Sequence, residues 1–289
     1  MFKSSFVVAA LFSAGIVGTA VAAPAAPLQL DVFNPGEAAV FPVASVLVTG
    51  KHDAVLIDAQ FARGDAEKLV EKIRASGKQL RTIYISHSDP DFYFGLEVIQ
   101  AAFPKAKIVA TAETVAAIRG NKDAKLAYWG PILKDNAPKS LVVPAVLKGK
   151  RITLEGQALD VSGPTPARTY VSIPSIKAVA GGVVLSNNIQ VWMADTQSAQ
   201  SRQDWIKTLD GIAALKPVTV VPGHFKPGSS YTPESIAFTR NYVLTFEAEA
   251  ARAANSAALI AAMQRHYPAL PVDGSLEISA KVATGEMTW

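Results

Sequence analysis

Short apolar, β-branched runs recur along this chain, and in both halves they are followed by segments whose apolar residues fall at helical spacing. Residues 28–33 alternate apolar and polar side chains. Residues 41–48 and 54–59 are two β-branched runs joined by Gly50-Lys51-His52-Asp53, which predicts a hairpin. Ala66, Leu69, Val70 and Ile73 recur at helical spacing ahead of Gly77, a helix C-cap. Residues 80–86 read as a buried strand and 96–103 as a helix stopping before Pro104. Residues 107–110 are a strand, after which Thr111 caps a helix to about Arg119. In the second half, residues 151–161, 169–173 and 182–186 read as strands. Trp205, Leu209, Ile212 and Leu215 mark an amphipathic helix with Ser201 and Asp204 as its capping pair. Residues 218–221 are a strand, and Thr232-Pro233 opens one long alanine-rich helix to about His266. Strands followed by helices in both halves predict two sheets face to face with helices outside. No repeat, low-complexity linker or composition break divides the chain after its first residues.

With 289 residues and 49% hydrophobic side chains the chain can bury a large core. A net charge of +4, with no long basic run, gives no sign of nucleic-acid binding. There is no cysteine, so disulfides, thiolate metal sites and a cysteine nucleophile are excluded, and any metal must be held by His and carboxylate. Lys3, the apolar stretch from Phe6 to Val21 and Ala20-Val21-Ala22 read as a secretory signal peptide over residues 1–22. A membrane anchor is the alternative, but the stretch is short and rich in small residues. The expected mature domain is 23–289, exported to a periplasm or secreted, with no membrane span.

Chemistry concentrates at two predicted strand ends. Ser86-His87-Ser88-Asp89-Pro90-Asp91-Phe92 follows a buried strand and precedes a helix, the place where clefts form in α/β folds. A His and two carboxylates at spacing two put several metal-ligand types on one loop; Asp89 and Asp91 as plain helix caps is the competing reading. Pro222-Gly223-His224 is a second strand end carrying a His.

His87-x-Asp89-x-Asp91-Phe92, with Gly95 behind it, resembles the H-x-H-x-D-H signature of the metallo-β-lactamase superfamily. Pro222-Gly223-His224 resembles that family's closing P-G-H, and Leu56-Ile57-Asp58 its early strand ending in Asp. Ser186-Asn187-Asn188 lies where the family has G-D, and Pro164-Thr165-Pro166-Ala167-Arg168 is similar to its H-T-P-G-H. The pieces run in order from about residue 39 to 228. The resemblance implies an α/β fold, the four-layer αββα sandwich, and a metal-dependent hydrolase.

It also implies that the metal site is degenerate. Of the positions that hold two adjacent ions in the family, His87, Asp91 and His224 are kept. Asp89 and Asn188 are altered but still carry oxygen, and Phe92 and Pro164 offer no side-chain donor. With neutral Asn188 in place of a bridging carboxylate, the repulsion of two ions is no longer offset, so the site is at most mononuclear. His87, Asp89, Asp91 and His224 are then the candidate ligands of one divalent ion, zinc first and manganese or iron as alternatives; the other expectation is no metal at all. Asp91 is a candidate general base, and Asn188 a candidate for orienting water or an oxyanion. Phe92, Tyr93, Trp192 and Arg168 are the candidate substrate contacts, with Tyr128 and Trp129 as further cleft walls. Asp195 before Thr196 reads most simply as a helix cap. The expected activity is hydrolysis of an ester, lactone or similar small molecule. The alternative is a catalytically inactive member that binds a ligand or partner. No motif names the substrate or sets the oligomeric state.

Overall fold

The computed structural model describes Met1, residues 26–165 and residues 168–289. Apart from Met1, the expected signal peptide and its cleavage site lie outside the described residues, as do Pro166 and Ala167. The first sheet contains β1 (Gln29–Phe33), β2 (Ser45–Thr49), β3 (Asp53–Ile57), β4 (Gln79–Tyr84), β5 (Lys107–Ala110) and β6 (Ala145–Val146), hydrogen-bonded in that order. The pairs β1–β2 and β2–β3 are antiparallel, and β3 to β6 are parallel. The second sheet contains β7 (Arg151–Leu154), β8 (Gln157–Thr165), β9 (Arg168–Ile173), β10 (Ala178–Ala180) and, beyond β11 (Ser186–Asn187), β12 (Thr219–Val221). Its order is β12-β10-β9-β8-β7. Strands β11 and β13 (His224–Phe225) form a short parallel pair with Ser186 opposite His224.

Every residue of β2 is buried, which requires cover on both faces of the sheet. The period-two alternation shows what the cover is. Val46, Val48, Val55 and Ile57 join Val161 and Val171 of the second sheet in one core, while Leu47 and Leu56 turn to the other face and join a core with helical residues such as Leu69 and Ile73. The layers are helix, sheet, sheet, helix, as the resemblance implied. Helices α1 (Arg63–Ala75), α2 (Pro90–Tyr93), α3 (Leu96–Ala102) and α4 (Ala112–Leu133) follow strands of the first sheet. Helices α5 (Ala199–Ala214), α6 (Glu234–Ala250), α7 (Ser256–His266) and α8 (Gly274–Ala283) belong to the second half.

Several sequence expectations are corrected. Residues 151–161 are not one strand: Glu155 and Gly156 both take positive φ, 48° and 80°, and turn the chain into a β7–β8 hairpin. Residues 182–186 are not a strand, because Gly181 and Gly182, at φ 81° and 89°, end β10 and only Ser186 enters β11. Helix α5 is capped by Ser198, whose side chain accepts the Ser201 N–H, so Ser201 and Asp204 are inside it. Helix α4 runs on to Leu133 rather than ending near Arg119. The single long helix after Pro233 is two: Asn255 accepts the Ala258 N–H at 2.9 Å and starts α7 afresh. Ile236, Val243 and Leu259 are buried in this chain's own core, Ile260 is partly buried against it and Leu244 is exposed.

Two motif glycines have a steric reason. A Cβ on Gly95 would stand 2.1 Å from the Ala59 carbonyl oxygen, and one on Gly223 would stand 2.2 Å from that of Gly182. Both let a site loop press against a neighbouring strand end. Gly223→Ala is expected to destabilise by about 3 kcal/mol, since the clash is with backbone. Gly120→Ala, exposed within α4 and facing open space, is expected to be neutral or to stabilise by up to about 1 kcal/mol. Urea unfolding of the two variants checks the contrast, and equal midpoints would contradict it.

Candidate active site at the strand ends

The loop after β4 is fixed from below. Ser86 donates its N–H and its hydroxyl to the two carboxylate oxygens of Asp58, both at 2.8 Å. Thr169 Oγ1 donates to the Ser86 carbonyl at 2.8 Å and lies 2.6 Å from the Tyr84 hydroxyl. Asp58 is fully buried and held at φ 62°, a conformation that Asp tolerates better than most residues. Burial pushes its pKa up to about 7; the Ser86 hydrogen bonds pull it down and the charge of Asp91 adds to the rise. The strand ending in Asp is therefore a brace for the site loop.

Above this brace the four candidate ligands separate into two pairs. His87 Nδ1 lies 3.2 Å from both the amide nitrogen and Oδ2 of Asp89, and Asp89 Oδ1 lies 3.5 Å from Lys125 Nζ. Burial acts to raise the Asp89 pKa, but His87 and Lys125 outweigh it and hold the carboxylate well below its ordinary range. Asp89 occupies the N-cap position of α2, yet its side chain makes no cap hydrogen bond. The second pair is His224 Nε2 with Asp91 Oδ2, 2.7 Å apart. The ring of Phe92, completely buried, packs against both imidazoles in T-shaped contacts, with centroids 5.7 Å from His87 and 5.3 Å from His224. Asn188 is exposed, at φ 55°, and its amide donates to Ser229 Oγ at 3.3 Å.

This donor set does not fit a divalent ion. A catalytic zinc needs three protein ligands of its own, with a fourth position left open. Each pair here offers two, the Phe92 ring packed against both imidazoles supplies no donor, and Asn188 is exposed with its amide N–H donating to Ser229. Among the described residues no three His, Asp or Glu side chains are grouped to hold an ion.

A mainly apolar cavity of about 130 Å³ opens beside the Asp91–His224 pair. All four tryptophans of the chain, Trp129, Trp192, Trp205 and Trp289, are on its wall. Asp195 does not cap a helix; its two oxygens accept the indole N–H of Trp192 at 2.6 Å and of Trp289 at 2.8 Å. Among the candidate substrate contacts, Trp192 lines the cavity. Phe92 is not on its wall but is buried against the two imidazoles, and Tyr93 is buried in the helix-side core. Arg168 sits with its guanidinium 4.9 Å from the Trp205 ring; burial pushes its pKa down, and Asp195 and Asp89 act against that. Tyr128 is exposed and packs against Trp129 at 4.9 Å. Sequence reasoning missed Lys125, Asp273 and Trp289. Lys125 and Trp129 reach the cavity because α4 continues past Gly120, and the rarity of tryptophan was the available signal for Trp289.

The sequence model of the metallo-beta-lactamase superfamily matches residues 38–224. An uncharacterized protein, YobT of Bacillus subtilis (strain 168), is 22% identical over 203 residues, covering 65% of this chain and 85% of that protein. Among solved structures, the metallo-beta-lactamase family protein TTHA1429 from Thermus thermophilus is similar with a TM-score of 0.62 at 15% identity, over 89% of this chain and 91% of that one. A metallo-beta-lactamase from Pontibacter korlensis gives a TM-score of 0.55 at 18% identity, over 77% and 97%. At these identities the likeness is one of fold.

Asp58 supplies a pH test of the brace. A carboxyl whose pKa is higher folded than unfolded gives stability that is complete below the unfolded value, 3.8, and lost as pH rises to the folded value, about 7. That component is on the order of 4 kcal/mol across the window. Asp58→Asn, which still accepts the Ser86 N–H, is expected to match the parent at pH 4 and to melt higher than it at pH 8. A variant melting below the parent at pH 8 would mean that the fold needs the charge.

Proposed function

The chain belongs to the metallo-beta-lactamase superfamily, and from that premise we propose that it binds a small molecule in the tryptophan-walled cavity, with a polar cluster standing where the family usually holds metal. The observation carrying this reading is the apolar Phe92 ring packed against both His87 and His224, with Asp91 hydrogen-bonded to His224 and the His87 Nδ1 accepting the Asp89 amide N–H. A concave, mostly apolar pocket with a few convergent polar groups is the usual form of a small-molecule site. A partner-binding role has less support, since the distinctive side chains face inward. We place the protein outside the cytoplasm on the strength of residues 1–22; an exported form beginning at Ala23 would support that, and a cytoplasmic full-length form would not.

A second reading keeps hydrolysis. The 2.7 Å bond between Asp91 and His224 is the arrangement of an oriented general base, in which the carboxylate fixes the imidazole and steadies its charged form as it takes a proton from water. The water would attack an ester or lactone carbonyl lying in the cavity. The reading through one zinc, manganese or iron ion on His87, Asp89, Asp91 and His224 requires the two pairs to converge on one point.

Metal analysis and kinetics separate the three. The expected result is substoichiometric metal after purification without chelator, with no gain on adding zinc. If hydrolysis of a p-nitrophenyl ester is found, it should persist in EDTA and fall about 10²-fold or more in His224→Ala. Stoichiometric zinc, lost together with esterase activity in His224→Ala, would overturn the metal-free reading.

A further inference from the structure

The cavity carries the opposite charge to the rest of the molecule. The whole chain has a net charge of +4, yet Asp89, Asp91, Asp195 and Asp273 all line the cavity, against Lys125 and His224. Lys125 is committed to Asp89. Among the described residues, no Lys or Arg nitrogen stands within ion-pair distance of Asp91, Asp195 or Asp273. Arg168 influences Asp195 from a distance but is not on the cavity wall. Asp273 is partly offset by the start of α8, where it accepts the Leu276 N–H at 3.1 Å.

The walls are aromatic. Trp192 and Trp289 meet edge to face at a steep angle, with centroids 5.1 Å apart and an interplanar angle of 69°, so the two rings form a corner. Asp195 fixes that corner through both indole N–H groups. A carboxylate accepting an indole N–H also polarises the ring and makes its face more negative. The Lys125 ammonium already lies 6.0 Å from the Trp289 ring centroid, at the outer range of a cation–π contact.

We propose that the ligand of this cavity is an organic cation, a quaternary or protonated ammonium carried on a small apolar body. Indole faces attract such a group through the ring quadrupole, and the carboxylates of Asp91 and Asp195 supply the net charge. The volume sets the size: an apolar cavity of about 150 Å³ admits a benzene, so the buried part holds an ammonium with a few carbons. This assignment rests on the cavity being a small-molecule site, as proposed above.

Because every tryptophan lines the cavity, its occupancy should register directly in the intrinsic fluorescence. The test titrates the full-length protein with choline, with its neutral isostere 3,3-dimethylbutan-1-ol and with benzoate. Choline is expected to change the emission and to bind at least tenfold more tightly than the alcohol, with benzoate weakest. Asp195→Asn should weaken choline about tenfold while leaving the circular dichroism unchanged. Lys125→Gln, which removes the resident cation, should tighten it. Equal binding of choline and the alcohol, or benzoate binding best and weakening in Lys125→Gln, would overturn the cation assignment while leaving the cavity a binding site. No response to any of the three, in the parent or in Lys125→Gln, would count against both the assignment and the binding reading.

Discussion

The buried carboxylate of Asp58 ties the structure together at the end where the cavity opens. It follows β3, holds the N–H and hydroxyl of Ser86 beyond β4, and through Thr169 reaches β9 of the other sheet. Three strand ends from two sheets are thereby locked in one place. The far end has its own clasp, where the Glu155 carboxylate between β7 and β8 accepts the N–H groups of Lys51, His52 and Asp53 in the β2–β3 turn. The first clasp is buried, so its hydrogen bonds are worth more and the loss of a partner costs more. The second is exposed and contributes mainly to register.

On this brace the site is built from strand ends rather than from mobile loops. His87 and Asp89 hang from β4, and His224 belongs to β13, whose approach Gly223 permits. Phe92 then determines what the site can do. A His at that position would add a nitrogen donor next to the two imidazoles. An apolar ring there adds no donor, and Asp91 pairs with His224 while Asp89 lies beside His87 and Lys125. Burying unpaired carboxylates is expensive, which accounts for the close Asp91–His224 contact. Asp195, on the tryptophan wall, is held by two indole N–H groups and, among the described residues, has no Lys or Arg within ion-pair distance.

Much of the fold was legible in the sequence because the strands are buried on one or both faces and alternate accordingly. The parts that were not legible have identifiable causes. Glu155-Gly156 turns within a run that otherwise alternates, so the hairpin is hidden. Helix α4 has no buried residue between Ile118 and Leu133, so it shows no apolar stripe after Gly120. The break between α6 and α7 contains neither Gly nor Pro and depends on a single Asn cap. At the site, ordered motifs located His87, Asp89, Asp91 and His224, but pairing is a three-dimensional property: spacing along the chain does not tell convergence on one point from two separate pairs. Asp195 was read as a cap because Asp before a helix usually is one, and its indole partners come from Trp192 and the distant Trp289.

The central claim is that the polar cluster, with the apolar Phe92 ring where a further donor would be needed, grips no single cation. The most direct measurement is an anomalous difference map, collected at the zinc absorption edge, from crystals equilibrated with zinc. The account predicts no peak within bonding distance of both His224 and Asp91, and the Phe92 ring still packed against both imidazoles. A strong peak coordinated by Asp91, His224 and a ligand from the His87 loop, with Phe92 displaced, would contradict it.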